Sequence, residues 1–399
     1  MHIFAENFLN ILNKLVNKPR NLMEMKRIIN ILIRFFSYSV IIVVVFSATI
    51  ASCNKDEDNK TGPEVMQISI ADAYTVSLGI SGTGTATVDW GDGSKKETKM
   101  LSSDFDNLTF FTHEYSDESA RTIIIYGENI TGLVCDGYYL KSIDVSKNTA
   151  LIRLSCCCGE LTSLDVSNNT ALEWLSCSAN QLTQLDLSKN TALKFLYCSG
   201  NSLTNLDVSA NTALTRLACS TNQLTSLDVS KNTELQALLC NFNALSELDI
   251  SQNLALTLLG CVNNQLVNLD VSKNTALTQL NCHGNRLESL NVGDNIMLEY
   301  LICNGNELTS LEIGNNSVMK VLFCDENQLS NLDVSGATAL HNLWISDNKF
   351  SVEALNGLFG TLHNDYFSGG KFIKIGNNPG TVNSDQTIAT DKGWTVELD

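Results

Sequence analysis

The residues with the widest chemical scope in this sequence are its 13 cysteines, because thiols bind metals, form disulfides and act as nucleophiles. Ten of them recur at intervals of 21 residues. They are Cys135, Cys156, Cys177, Cys198, Cys219, Cys240, Cys261, Cys282, Cys303 and Cys324. Ile345 takes the next place in the series, and a position that accepts Cys or Ile is an apolar core position. The swap favours a row of buried thiols, and disulfide pairing, common in secreted proteins, is the alternative.

Two groups of residues resemble reactive sites without meeting their geometry. Cys156, Cys157 and Cys158 are adjacent, and consecutive residues of a strand face opposite sides, so the three do not easily share one tetrahedral zinc ion. Cys282 precedes His283, but the cysteine faces the core while the histidine begins a turn. No motif pairs a nucleophile with a base. The sequence therefore predicts a protein that is not an enzyme, with no cofactor and no metal site.

Nine acidic residues and one asparagine form a second regular column with the same 21-residue interval. Its members are Asp144, Asp165, Asp186, Asp207, Asp228, Asp249, Asp270, Asn291, Glu312 and Asp333. Neighbouring carboxylates about 5 Å apart repel each other by about 0.8 kcal/mol in water. Lysines three residues later in alternate copies (Lys147, Lys189, Lys231, Lys273) and local bonds to Ser, Thr or backbone N–H would offset this repulsion. A line of bound calcium ions is the sharper alternative.

These columns belong to a repeat whose template spans residues 172–192. Copies begin without gaps at Ile130, Leu151, Leu172, Leu193, Leu214, Leu235, Leu256, Leu277, Leu298 and Met319, and a half copy spans residues 340–350. Each copy contains two short strand patterns, LxC and LDV, with alternate side chains turned inward. One coil cannot bury its own apolar side, so the pattern predicts stacked coils with a continuous core and asparagines at the turns.

The repeat resembles the leucine-rich-repeat family, in the irregular bacterial form LxxLxCxxNxLxxLDLxxNxx, over residues 130–350. The resemblance implies a mainly β fold: a solenoid of about ten 21-residue coils. It also favours free thiols over disulfides in the cysteine row. Tyr138 and Gly159 replace the turn asparagine in the first two copies, so we expect distortion of those coils.

Comparison of the copies separates architecture from specificity. The second strand pattern hardly changes, whereas the two outward positions of the first strand range from Gly to Trp. The large side chains at these positions define a predicted binding face: Trp174, Phe195, Tyr197, Arg216, Leu239, Leu258, Tyr300, Ile302, Phe323 and Trp344. Exposed aromatic and Arg side chains often dominate interfaces. Packing between coils, or a flanking domain that covers them, is the alternative explanation.

The flanking segments predict smaller structural units. Residues 64–129 show strand patterns and the run Asp89–Ser94 (DWGDGS) followed by His113 and Tyr115, which resembles an immunoglobulin-like domain of the polycystic-kidney-disease type. We expect a small N-terminal β-sandwich that caps the first coil. Residues 351–399 predict an α/β cap at the other end: a helix begun by Ser351, a strand, a short helix begun by Ser384, and a last strand.

The N-terminal segment resembles a bacterial lipoprotein signal. Residues 1–52 place basic residues before an apolar stretch that ends in small residues at Cys53, with Met23 or Met25 as alternative start sites. The resemblance implies that Cys53 is lipidated, that residues 53–63 are a tether, and that the acidic residues 56–58 direct the protein to the outer face of the outer membrane. An uncleaved transmembrane anchor is the alternative.

The chain has a net charge of −17, which disfavours nucleic acid and anionic membrane surfaces as partners. We therefore expect a cell-surface lipoprotein that binds a host or bacterial surface protein or glycan through its variable face. A structural or scaffolding component of an outer-membrane uptake complex, with no ligand of its own, is the alternative.

Overall fold

The computed structural model describes residues 65–398, except Asp72, Tyr138 and Tyr139. The predicted signal segment, the lipidated Cys53 and the tether lie outside the described residues. Within the described residues, no helix has both the length and the apolar character needed to cross a membrane.

An N-terminal domain of six strands precedes the repeats. The strands are β1 (Val65–Ile70), β2 (Thr75–Gly82), β3 (Thr85–Asp89), β4 (Glu97–Met100), β5 (Thr109–Glu114) and β6 (Arg121–Gly127). In one sheet β4, β3, β6 and β1 are neighbours, and in the other β5 lies beside β2. Alternating side chains of both sheets, such as Ile68, Ile125, Leu78 and Phe111, are buried. The predicted sandwich is therefore present.

The first strand of each repeat joins one long parallel ladder. These strands are β7 (Ile130–Val134), β9 (Arg153–Ser155), β10 (Trp174–Ser176), β11 (Phe195–Tyr197), β12 (Arg216–Ala218), β13 (Ala237–Leu239), β14 (Leu258–Gly260), β15 (Gln279–Asn281), β17 (Tyr300–Ile302), β19 (Val321–Phe323) and β20 (Asn342–Trp344). Each residue pairs with the residue 21 positions later, as Trp174 does with Phe195. The predicted solenoid is confirmed.

The cysteine row fills the core of this stack. All ten thiols are buried and free, and each lies beyond an equally buried Leu of the same strand. Desolvation by burial raises the pKa of Cys240 and of Cys282 to about 12, so these thiols stay protonated at neutral pH. The cysteines act as small apolar side chains. The predicted row of buried thiols is confirmed.

A row of asparagines satisfies the backbone where the chain leaves the first strand. The Nδ2 of Asn264 donates to the carbonyl oxygens of Cys240 and Cys261, each at 3.1 Å. Its Oδ1 accepts from the backbone N–H of Leu245 at 3.0 Å. The same pattern recurs from Asn180 to Asn348, so each amide ties its coil to the preceding one.

A second asparagine row stands at the opposite turn and is satisfied only in part. The Nδ2 of Asn190 donates to the carbonyl oxygens of Val166 and Asn169, at 3.0 and 2.9 Å. Its Oδ1 is buried without a hydrogen-bond partner, as is that of each other member from Asn148 to Asn316. Both rows are architectural, as the sequence predicts.

The strand predicted for the LDV segment of each copy is absent from most of the described coils. The segment forms strands at β8 (Leu140–Asp144), β16 (Ser289–Asn291) and β18 (Ser310–Glu312), and the LDV segments of the other described coils are extended without a ladder. Only β16 and β18 pair with each other. A Cβ at Gly314 would lie 2.8 Å from the Cα of Gly293, so glycines let these two coils approach closely. Other coils have serine at that place.

The first coil continues both sheets of the N-terminal domain. β2 pairs antiparallel with β7, and β1 pairs antiparallel with β8. The edge of the first coil is therefore covered by backbone hydrogen bonds, as the predicted N-terminal cap requires.

The C-terminal segment extends the ladder instead of only covering it. It contains α1 (Val352–Thr361), β21 (Lys371–Lys374), α2 (Thr387–Thr390) and β22 (Trp394–Glu397). The hydroxyl of Ser351 accepts from the N–H of Ala354, so the predicted start of α1 is confirmed. The predicted start of the second helix is wrong: Gln386, not Ser384, precedes it, and the Ser384 hydroxyl instead donates to the carbonyl of Thr381.

With β21 and β22 in parallel register after β20, thirteen strands run parallel in the described part of the chain, against about ten predicted coils. Asn378 takes over the amide role, with Nδ2 donating to the carbonyls of Ile345 and Ile375 at 2.9 Å each. The cap is fastened by Lys371, which is only 3% exposed and donates to the carbonyls of His363, Asp365 and Lys392.

We predict that Asn264→Ala lowers the free energy of unfolding by about 2–3 kcal/mol, because it leaves the N–H of Leu245 and two carbonyls unpaired in the core. Urea unfolding followed by circular dichroism measures the change. Asn268→Ala, at an exposed position of the same coil, is the matched control and should change little. Equal effects of the two substitutions would contradict the role assigned to the asparagine row.

Candidate recognition face

The outward side chains of the first strands form one face of the solenoid. In β10 the middle residue Leu175 points inward and is fully buried, so Trp174 and Ser176 point outward. Parallel pairing in register places the equivalent residues of successive coils about 4.8 Å apart. Two outward columns result, one running from Gly132 to Asn342 and the other from Val134 to Trp344. We call the surface of these two columns the variable face.

An N-terminal aromatic cluster occupies one part of the variable face. The ring of Trp174 lies 5.9 Å from the ring of Phe195 and 5.9 Å from that of Tyr197. Arg216 pairs with Phe195 in the ladder, and burial raises the pKa of the Tyr197 phenol although the positive charge of Arg216 acts in the opposite direction. All four side chains are half-buried. The structure therefore brings Trp174, Phe195, Tyr197 and Arg216 together, as the sequence predicts.

This cluster is extended by two residues that the sequence analysis did not select. The guanidinium of Arg153 lies between the rings of Phe105 and Trp174, at 4.5 and 5.0 Å from their centroids. Phe105 comes from the loop between β4 and β5 of the N-terminal domain. It fills the space over Gly132, where a Cβ would lie 2.7 Å from its ring. No periodic signal in the sequence could place this loop residue on the face.

The middle of the variable face has smaller, apolar side chains than the aromatic clusters on either side. Leu239 and Leu258 are half-buried, and Ala218 is 9% exposed. At Gly260 a Cβ would lie 2.9 Å from a methyl carbon of Leu239, so this leucine covers the backbone of the next coil. The predicted residues Leu239 and Leu258 therefore form the floor between two aromatic clusters.

A C-terminal aromatic cluster contains the remaining predicted residues. Phe323, the partner of Trp344 in the ladder, stacks on its indole with centroids 4.0 Å apart and is only 8% exposed. Tyr300 is 37% exposed and Ile302 is half-buried. The Nζ of Lys374, from β21, lies 4.5 Å from the Trp344 ring. Packing between coils and an open surface thus coexist in this cluster.

Phe372 also belongs to the C-terminal cluster and was missed because the segment was interpreted as a structural cap. It pairs with Asn342 in the ladder and is 37% exposed. The signal was present: residues 373–378 (IKIGNN) repeat the spacing of apolar residues and asparagine seen at 343–348 (LWISDN), although 30 residues later instead of 21.

A third column lies two residues beyond the second, and its side chains are partly enclosed. In the middle coils it is paired internally: the Oγ of Ser199 accepts from the N–H of Ser220, and the Oγ of Ser220 from that of Asn241, both at 3.1 Å. At one end the Ser155 hydroxyl donates to the carboxylate of Asp136, within reach of both of its oxygens, and the N–H of Cys157 donates to the same carboxylate. Burial still raises the pKa of Asp136.

Asp325 is the exception in the third column. Its Oδ1 is shielded from solvent and has no hydrogen-bond partner. Desolvation raises the pKa of this carboxyl to about 6, although His283 and the Nδ2 of Asn304, 3.5 Å away, favour its ionised form. A shielded carboxylate with one oxygen unpaired costs stability at neutral pH, so the architecture of the stack does not explain it.

Cys157 and Cys282, from the two groups that resemble reactive sites in the sequence, are buried, and burial keeps their thiols protonated and unreactive. The Cys282 thiol is buried, and the Nδ1 of His283 makes its bond to the carbonyl oxygen of Asn304 at 3.0 Å. Burial raises the pKa of Cys157 to about 12, and its Sγ lies 2.8 Å from the Ser176 hydroxyl. Within the described residues, no three His, Cys, Asp or Glu side chains converge as metal ligands would.

The acidic column has a local explanation at each coil. The Oδ1 of Asp186 accepts from the backbone N–H of Ser188 at 2.9 Å, and the same bond recurs in every other Asp of the column. These bonds lower the pKa of each carboxyl below its usual value, with the serine hydroxyl contributing. The lysines act only at longer range: no ion pair in the described part of the chain joins them to the preceding Asp.

The geometry places this chain in a structural class, the leucine-rich-repeat solenoids. A comparison with solved structures finds the functional domain of InlJ from Listeria monocytogenes at 32% identity and a TM-score of 0.60, covering 71% of this chain. That domain is described as including a cysteine ladder, the arrangement seen here. The chain spans 63% of the InlJ domain.

Two further structures share the fold alone. The internalin InlF of Listeria monocytogenes is 19% identical, with a TM-score of 0.52 over 64% of this chain and 85% of its own length. A leucine-rich-repeat protein of Leptospira interrogans is 18% identical, with a TM-score of 0.53 over 66% of this chain and 83% of its own. No family model matches the sequence, and no curated protein matches it.

We predict that Asp325→Asn stabilises the protein at pH 8. An unfolded Asp has a pKa of about 3.9, so the folded chain holds this proton more tightly, and the free energy of unfolding falls as pH rises from that value through about 6. Removing the charge should add on the order of 2 kcal/mol at pH 8 and almost nothing at pH 4. Thermal melts at both pH values measure the difference.

The matched control for this experiment is Asp294→Asn, at an exposed position. It should leave the melting temperature unchanged at both pH values. A gain for Asp325→Asn that is the same at pH 4 and pH 8 would contradict the burial of an ionised carboxyl.

We predict that the melting temperature does not change when calcium or a chelator is added. Each Asp of the acidic column already has a carboxylate oxygen bonded to a serine N–H, so the column is stable without a cation. Scanning calorimetry with calcium and with EDTA tests this. A drop of several degrees on chelation would instead assign calcium ions to the column.

Proposed function

We propose that this protein is a surface recognition module that binds a protein or glycan of a host cell or another bacterium through the variable face. The observation that supports it is the contrast between columns. The inward leucines and cysteines, the turn asparagines and the LDV segments repeat almost unchanged, whereas the variable face has two aromatic clusters on either side of an apolar floor. Stacking requires no such variety, so selection for a ligand accounts for it.

The charge distribution supports the same surface. The chain contains 43 acidic residues, yet the two columns from Gly132 to Trp344 contain none and include Arg153 and Arg216. The acidic column lies on the second segment of every coil. The variable face is therefore the neutral to weakly basic part of an acidic protein, suited to neutral polar or apolar ligands.

The similarity to leucine-rich-repeat structures supports a binding role in general. The resemblance of residues 1–63 to a lipoprotein signal and tether supports attachment through Cys53 to the outer membrane, facing outward. In this proposal the N-terminal sandwich, which resembles a polycystic-kidney-disease domain, acts as a spacer between the membrane and the solenoid.

The test measures the binding of the purified full chain to cells and to isolated surface components. The same measurement is made with the variant Trp174→Ala/Tyr197→Ala/Trp344→Ala. These rings are half-buried, so we expect binding to fall at least tenfold while the core stays folded. Surface plasmon resonance and cell-binding assays provide the measurement.

The control variant is Asp186→Asn/Asp207→Asn/Asp228→Asn on the acidic column, because asparagine can still accept the serine N–H bond. It should bind like the unaltered chain. Binding that survives the aromatic substitutions would refute the assigned face. Purification from membranes with fixed stoichiometric partners and no other binding would favour a scaffold of an uptake complex.

A further inference from the structure

Three oxygen atoms without hydrogen-bond partners lie in the coil of Trp344 and the coil before it. They are the Oδ1 of Asp325, the Oδ1 of Asn342 and the Oγ of Ser346, all shielded from solvent. Asn342 and Ser346 lie two residues to either side of Trp344 and thus share its face of the sheet. Asp325 is the equivalent of Ser346 in the preceding coil, because Phe323 pairs with Trp344.

This concentration is unusual within the molecule. Shielded polar atoms in folded proteins almost always have a partner, so each exception needs an explanation. Among the described residues, the other unpartnered side-chain atoms belong to the second asparagine row or are three isolated atoms, in Ser81, Glu97 and Trp174. In the middle coils the third column bonds its neighbours, so the stack itself does not demand unpaired oxygens there.

The surroundings of these oxygens are aromatic. Phe323 backs the Trp344 indole, while Tyr300 and Phe372, each 37% exposed, stand in the first column on either side. Tyr300 is two coils before Trp344, about 10 Å along the stack, and Phe372 is one coil after it. That length accommodates one or two six-membered rings packed against the exposed rings of Tyr300 and Phe372.

The chemistry of the site selects the type of ligand. A carboxylate and an amide oxygen accept hydrogen bonds, so the ligand must supply donors, and the carboxylate disfavours an anion. A cation is disfavoured as well, because the ammonium of Lys374 already lies 4.5 Å from the Trp344 ring. A neutral molecule with several O–H donors and an apolar ring face satisfies both conditions.

We propose that the site formed by Trp344, Asp325, Asn342 and Ser346 binds a neutral oligosaccharide, a proposal that rests on the recognition function above. Because Phe323 and Lys374 flank the indole, a pyranose ring packs its C–H face on the exposed ring of Phe372 or Tyr300, beside the half-buried Trp344. Hydroxyls of successive sugar rings donate to Asp325 and Asn342 and exchange a bond with Ser346. These three residues are half-buried, so rotation of each side chain can turn its oxygen toward the ligand.

The test screens the full chain against immobilised neutral oligosaccharides built from hexoses and N-acetylhexosamines, followed by calorimetric titration of the best binder. We expect Trp344→Ala to abolish binding, and Asp325→Asn and Ser346→Ala each to weaken it at least tenfold. Asp325→Asn nearly preserves shape and is expected to stabilise the fold, so its loss of binding does not come from unfolding. Asp333→Asn, at an exposed position of the acidic column whose amide oxygen can still accept the Ser335 N–H, is the control and should stay within twofold.

Several outcomes overturn the proposal. They are the absence of binding to any neutral oligosaccharide, binding that survives both Trp344→Ala and Asp325→Asn, and binding that disappears with a chelator, which would make the oxygens cation ligands. If no oligosaccharide binds but the chain still attaches to cells through Trp174, Tyr197 and Trp344, this site fails while the recognition function stands.

Discussion

The structure depends on one constraint: no coil can satisfy its own apolar side chains or its own backbone groups. The leucines and cysteines of one coil are covered by those of the next, and the amide of Asn264 reaches back to Cys240 and Leu245 in the preceding coil. Because every interface uses the same contacts, each coil must present the same residues inward. The result is a long core whose chemistry is almost invariant, including thiols that burial keeps protonated and inert.

The same constraint leaves variation only where a side chain touches no required partner. The outward positions of the first strand meet this condition, and they differ from coil to coil as widely as Gly260 and Trp344. Some of these differing side chains pack against one another within the face. Phe323 stacks on Trp344, and Arg153 lies between Phe105 and Trp174. The remaining surface is aromatic and free of carboxylates in its two columns. Partners that an acidic protein would otherwise repel can therefore approach it there.

Much of this could be predicted from the sequence because the 21-residue interval is a direct record of the stacking. The interval identifies the inward leucines and cysteines, the turn asparagines and the outward aromatic residues. The interval contains no information on distances between coils. It therefore could not show that β16 and β18 pair with each other, where Gly293 and Gly314 let two coils approach closely, while the LDV segments of other described coils do not. Phe105 reaches the face from another domain, and the unpaired Oδ1 of Asp325 depends on side-chain positions in three coils. Neither leaves a periodic trace.

The coil that contains α1 shows which part of a repeat is free to change length. Between Asn348 and Asn378 the chain takes 30 residues instead of 21, yet the Nδ2 of Asn378 still bonds the carbonyls of Ile345 and Ile375 as its predecessors do. The added residues form a helix on the side away from the parallel ladder, with Leu355 and Phe359 buried. Engineered segments inserted at the corresponding arc of an inner coil can therefore leave the strand register intact, provided that they supply an apolar side of their own to replace the lost LDV contacts.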